Sequence, residues 1–200
     1  MISTGLQEVV VVGGVESYYD IEALEWLDEA GRLHSEANID GFVPGEAGAF
    51  IVLASRSAAH RFGLPVLGSI LSSTVAHEPH PYISDHGVCI GQGLTESIRR
   101  TLDVPVSDAK VADWTVCDLN GENFRAMEWM YAYVRTGPKH RDPLELWHPA
   151  DCLGDLGAAT GCVLLSIAIA SWQRDYARGD RCLIWCSSDG PERAAVLLSK

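Results

Sequence analysis

Apolar and polar positions along the chain repeat with two different periods. Four consecutive valines in QEVVVVGGVES, followed by a Gly-Gly turn, predict a strand buried on both faces, as in the covered sheets of α/β proteins. DIEALEWLDEAGRL spaces Ile21, Leu24 and Leu27 at helical intervals and stops at Gly31, which predicts a short acidic helix. A loop punctuated by glycine and proline, DGFVPGEAG, leads into a strand over 49–53. LPVLGSILSSTVA supplies another after a turn, and the two are expected to pair as a hairpin. HEPHPYISDHG is polar and proline-containing, an exposed loop ahead of a helix over 94–102. The order then becomes regular: strand WTVCDL, helix ENFRAMEWMYAYV, short strand LELWHP, a helix over 156–172, then strands RCLIWC and AAVLLS. Strands alternating with helices predict a largely parallel sheet, closed by an antiparallel hairpin.

Composition narrows this picture. At 200 residues and 47% hydrophobic, the chain can bury the core of one compact domain. It carries 27 acidic against 15 basic side chains, a formal charge of −12, which opposes nucleic-acid phosphates and anionic membranes as partners. Its six cysteines form no CxxC pair and no signal-like segment opens the chain, so a reduced, cytoplasmic protein is expected. The longest apolar run, 162–170, is interrupted by Ser166 and falls short of the roughly 20 residues a membrane span requires. The valine strand begins so early that flanking elements upstream are expected.

Several residue clusters could carry chemistry. Cys117 ends a predicted strand, where α/β sites gather, yet neighbouring Asp118 and Glu122 disfavour a thiolate; the alternative is a small buried side chain. Cys152 meets the same objection from Asp151 and Asp155. Asp118, Asn120 and Glu122, with Arg125 and Glu128 beyond, either form a hydrogen-bonded network or cap the following helix, with Glu122 in its first turn. His77, Glu78, His80, Asp85 and His86 offer a pocket rim, a metal set or a solvated loop. His148, Asp151, Cys152 and Asp155 supply zinc ligand types but no second pair at recognised spacing, so no metal centre is assigned. GDLGAATG resembles a phosphate cradle, but Asp155 would repel an anion and neither Lys nor Arg is near, so no nucleotide cofactor is expected. Gly157, Ala158 and Ala159 would instead let the helix approach a neighbour closely. The basic groups KHRD (139–142) and RRTL (99–102) are either solvated or contacts for an acidic partner.

Four segments, VVVVGGVES (9–17), DGFVPGEAGAFIVLAS (40–55), VCDLNGENFRAMEW (116–129) and LGDLGAATG (153–161), resemble in order and spacing the carboxyl half of a β-ketoacyl-acyl-carrier-protein synthase of the thiolase superfamily. The resemblance implies a single thiolase-like domain over 1–200, with a mixed, mostly parallel five-stranded sheet in α/β/α layers. Residues 1–20 would hold the last strand of an amino half, and the nucleophilic cysteine would lie upstream of it. The family's two histidines sit in H-G-T-G-T and K-x-x-x-G-H-x-x-G-A-A-G motifs. Here Asp118 stands at the first, with Asn120 beside it, and Gly154 or Asp155 at the second. Cys117, Glu122, His77 and His80 become pocket candidates. An aspartate near its ordinary pKa of about 4 cannot donate to a developing oxyanion. The resemblance therefore implies a degenerate, non-condensing half that binds an acyl chain, an acyl-carrier protein or a synthase partner, as a homodimer or heterodimer. Two alternatives stay open: an active acyltransferase using an upstream cysteine, and a structural subunit of a synthase heterodimer.

Overall fold

The computed structural model describes Ile2 and residues 4–82, 87–104 and 112–200. Strands β1 (Val9–Ser17) and β2 (Glu46–Ala54) form an antiparallel ribbon, with Val9 opposite Ala54 and Ser17 opposite Glu46. A five-stranded sheet runs β3 (Ser69–His77), β7 (Glu192–Ser199), β6 (Arg181–Ser187), β4 (Trp114–Cys117), β5 (Leu146–Trp147). The expected mixed sheet is thus present. Its β4 pairings to β5 and β6 are parallel and its β3–β7 and β6–β7 pairings antiparallel, an even division rather than a parallel majority.

Helices α3 (Gln92–Thr101) and α4 (Asn123–Thr136) cover one face of this sheet. Leu94, Ile98, Trp129 and Ala132 pack there on Leu183, Trp185 and Leu197. Helix α6 (Thr160–Gln173) covers the other, where Leu164, Ala168 and Trp172 meet Trp114, Val116, Ile184 and Leu198. Its far side touches β1 and β2, so α6 lies between the sheet and the ribbon. Burial on both flanks is why its sequence is apolar nearly all round. The close approach expected of 157–159 is realised against β1: a Cβ on Gly14 would come within 2.0 Å of the Ala158 carbonyl oxygen.

Two expectations fail. The valine strand is not buried on both faces: Val11, Val15, Phe50 and Val52 line the ribbon's outer face, at 64%, 67%, 63% and 59% exposure. Period and composition could not separate a doubly covered strand from one covered only by α6. The strand over 49–53 does not pair with the one after it. Helix α2 (Arg56–Phe62) intervenes, its start capped by Ser55 Oγ accepting the Ala58 N–H and its end turned by left-handed Gly63. It carries the chain from the ribbon to the sheet's outer edge, where β3 pairs with β7. The early acidic helix is present as α1 (Ile21–Glu29), capped by Asp20. A short helix α5 (Ala150–Leu153) follows β5. No helix among the described residues is long and apolar enough to cross a membrane.

Candidate functional site

The parallel strands β4 and β6 end side by side, and their carboxyl ends open into a cavity of about 900 Å3 bounded by α1, β1, α5 and the start of α6. Asp118, the first residue beyond β4, accepts the Ser187 N–H at the end of β6 through Oδ2 (2.6 Å). Its Oδ1 is buried without a hydrogen-bond partner. Burial raises its pKa from the ordinary 3.8 to about 6, against the lowering effects of Arg125 and the Ser187 N–H.

Around Asp118 the polar groups close into one network. Arg32, from the turn after α1, grips Glu122 with two nitrogens (Nε–Oε1 2.7 Å, Nη2–Oε2 2.8 Å) and Asp189 with Nη1 (2.6 Å). Arg125, on the first turn of α4, donates to the Ser187 carbonyl (2.6 Å) and to Asp189 (2.8 Å), and stands 3.5 Å from Asp118. Asn120 Nδ2 donates to Glu122 (3.0 Å) and Asp155 (2.7 Å). Asp155 also accepts from Tyr18 (3.2 Å) and from the Gly157 N–H (2.8 Å). Burial and the Asp155 carboxylate push the Tyr18 hydroxyl's pKa up, so it acts as a donor.

Of the residues named from sequence, Cys117, Asp118, Asn120, Gly154 and Asp155 line this one cavity, and Glu122 is buried beside them with both oxygens held. Glu122 stands at the cap position of α4 rather than in its first turn, without a side-chain capping bond, and Arg32 holds its carboxylate. Gly154 has φ +74°, and a Cβ there would stand 2.7 Å from the Val43 carbonyl oxygen, so no side chain, histidine included, fits this backbone without strain. Cys117 is fully buried and its thiol pKa is pushed up mainly by burial, so it is no thiolate nucleophile.

His77 and His80 do not line the cavity: His77 ends β3, the edge strand, and His80 lies just beyond it, at the same end of the sheet as the end of β6 but separated from it by β7. Asp85 and His86 fall outside the described residues. The set His148, Asp151, Cys152 and Asp155 also separates: His148 pairs with Asp151 at the surface (2.9 Å), Cys152 is exposed, and Asp155 faces Asn120. Within KHRD, His140 is buried and not a surface contact. Sequence reasoning missed Arg32, Asp189 and Tyr18. The only local signal was the SSDGPE turn holding Asp189; Arg32 and Glu122 are 90 positions apart.

The fold is that of thiolase-like structures of ketosynthase type. The oxazolomycin ketosynthase domain OzmH KS7 of Streptomyces albus JA3453 superposes with a TM-score of 0.78 at 18% identity, over 99% of this chain and 42% of that one. The ishigamide ketosynthase/chain length factor gives 0.81 at 16% identity, over 100% and 55%. A type II polyketide ketosynthase in complex with its acyl-carrier protein, AntDE:AntF, gives 0.70 at 18%, over 99% and 53%. The chain therefore spans about half the length of these structures, and the likeness is one of fold. No protein-family model and no curated protein matches the sequence.

Proposed function

We propose that this chain is a ketosynthase-like protein that holds an acyl chain, delivered as a thioester by an acyl-carrier protein, and performs no condensation through this half. The observation that carries the reading is the cavity's chemistry. Among the described residues its lining contains no histidine and no lysine. The guanidinium nitrogens of its two arginines, Arg32 and Arg125, are all engaged by carboxylates or a carbonyl. Decarboxylation and acyl transfer both need a donor aimed at the developing negative charge, and this lining offers neither an imidazole nor a free guanidinium. The apolar wall of Leu156, Leu164, Leu165, Ile184 and Val196 suits an acyl chain.

The test is binding and turnover together. Acyl-pantetheine thioesters and acylated carrier protein are expected to bind saturably, with no free thiol released, no condensation product and no covalent acyl-cysteine by mass spectrometry. Turnover or a trapped acyl-enzyme would establish the acyltransferase alternative instead, and absence of binding to either probe would remove the acyl-binding reading.

A second reading, a subunit that pairs with a synthase chain or an amino-terminal half, is favoured by the uncovered apolar face of the ribbon, Val11, Val15, Phe50 and Val52. The ketosynthase/chain length factor among the similar structures supports this reading too.

A further inference from the structure

Outside the cavity lining, Glu78, Cys89 and Glu128 converge. Glu78 follows β3, Cys89 precedes α3, and Glu128 lies in the middle of α4. One carboxylate oxygen from each glutamate and the Cys89 Sγ lie within 4.8 Å of one another. Both glutamates are 1% exposed and Cys89 is half-buried. Each carboxylate has one oxygen satisfied. Glu78 Oε2 accepts the Gly93 N–H (2.7 Å), and Glu128 Oε1 accepts from Arg193 Nε (2.6 Å). The other oxygen of each, Glu78 Oε1 and Glu128 Oε2, is buried with no partner. Two such oxygens beside a thiol are costly unless a cation fills the space between them.

We propose that Glu78, Cys89 and Glu128 bind a divalent transition-metal cation of the zinc class. The charges close: two carboxylates and a thiolate carry three negative charges, Arg193 offsets one, and a divalent ion offsets the other two. The donor set selects the ion. A thiolate with two carboxylates suits zinc or cobalt, whereas magnesium and calcium take oxygen ligands in larger numbers. Zinc bonds of about 2.0 to 2.3 Å require the three ligand atoms to draw closer, which the half-buried Cys89 side of the site permits. That same side leaves room for water as a fourth ligand. The ion would tie the β3 end, the loop before α3 and the middle of α4 together. None of the three ligands lines the cavity.

The full chain, stripped of metal and titrated with cobalt(II), is expected to bind one equivalent with a thiolate-to-cobalt charge-transfer band, and zinc should displace it. Cys89→Ser should abolish the band, while Cys152→Ser, at an exposed thiol, should leave it unchanged. Glu78→Gln, which leaves the Arg193–Glu128 pair intact, should weaken binding at least tenfold with the circular dichroism spectrum unchanged. The proposal is overturned by absence of the band in wild type, by its survival in Cys89→Ser, or by unaltered affinity in a folded Glu78→Gln.

Discussion

Arg32 joins two parts of the chain that share no local signal: its guanidinium is the main partner of Glu122 and, with Arg125, of Asp189. Removing one member of a buried pair costs about 3–5 kcal/mol, because the remaining charge is stranded. Arg32→Met is therefore expected to lower the unfolding free energy by about that much in urea titrations, and a loss under 1 kcal/mol would contradict the network. Asp118 carries a pH signature. Its folded pKa, about 6, lies above the ordinary 3.8, so the folded state holds the proton more tightly. That contribution is complete below about pH 3.8 and lost as pH rises through about 6. Asp118→Asn should gain stability relative to wild type as pH rises across this window; a constant difference would argue against a buried, strained carboxylate. His140 behaves in the opposite sense. Burial lowers its pKa from 6.5 to about 4. Its neutral ring, packed between Trp129 and Tyr133, contributes stability above about pH 6.5 that disappears as pH falls through 4. His140→Phe should make the protein less sensitive to acid over that range, as measured by thermal melts.

Individual elements followed their local signals where those signals were strong. The fully buried β4, the helices α3, α4 and α6, and the closing β6–β7 hairpin all stand where periodicity put them. The mispaired hairpin has a local cause. α2 has only seven residues, too few to show a helical period, and missing it turned a crossing into a hairpin. The ribbon's glycines define a further test. Gly14→Ala would drive a Cβ into the Ala158 carbonyl and should cost about 1–3 kcal/mol, read by urea unfolding. Gly48→Ala meets only Val15 Cγ2 at 3.5 Å and should leave stability within about 0.5 kcal/mol of wild type. Equal effects would mean that the ribbon does not dock on the start of α6.

For the whole molecule, the cavity and the uncovered ribbon face are products of the same layering. α6 separates the ribbon from the sheet, and the space left at the β4 and β6 ends becomes the cavity. If the outer face meets a partner chain or a second copy, Phe50→Lys should abolish that association in sedimentation without lowering the monomer's melting temperature, since the ring is already 63% exposed. Unchanged association would remove this face as the interface.

Local residue order was enough to determine the α/β class, most of the elements, the acidic charge and the placement of Cys117, Asp118 and Asn120 at the end of a strand. These depend on period, punctuation and charge, which neighbouring residues encode. Only the tertiary structure decided that β2 pairs back to β1, that Arg32, Asp189 and Tyr18 complete the site, and that Glu78 meets Cys89 and Glu128. Each of those depends on residues distant in sequence being brought together when α6 and the sheet bury their apolar faces. Burial then sets the chemistry: the same aspartate that would ionise near pH 4 in an open chain holds its proton to about 6 at the end of β4.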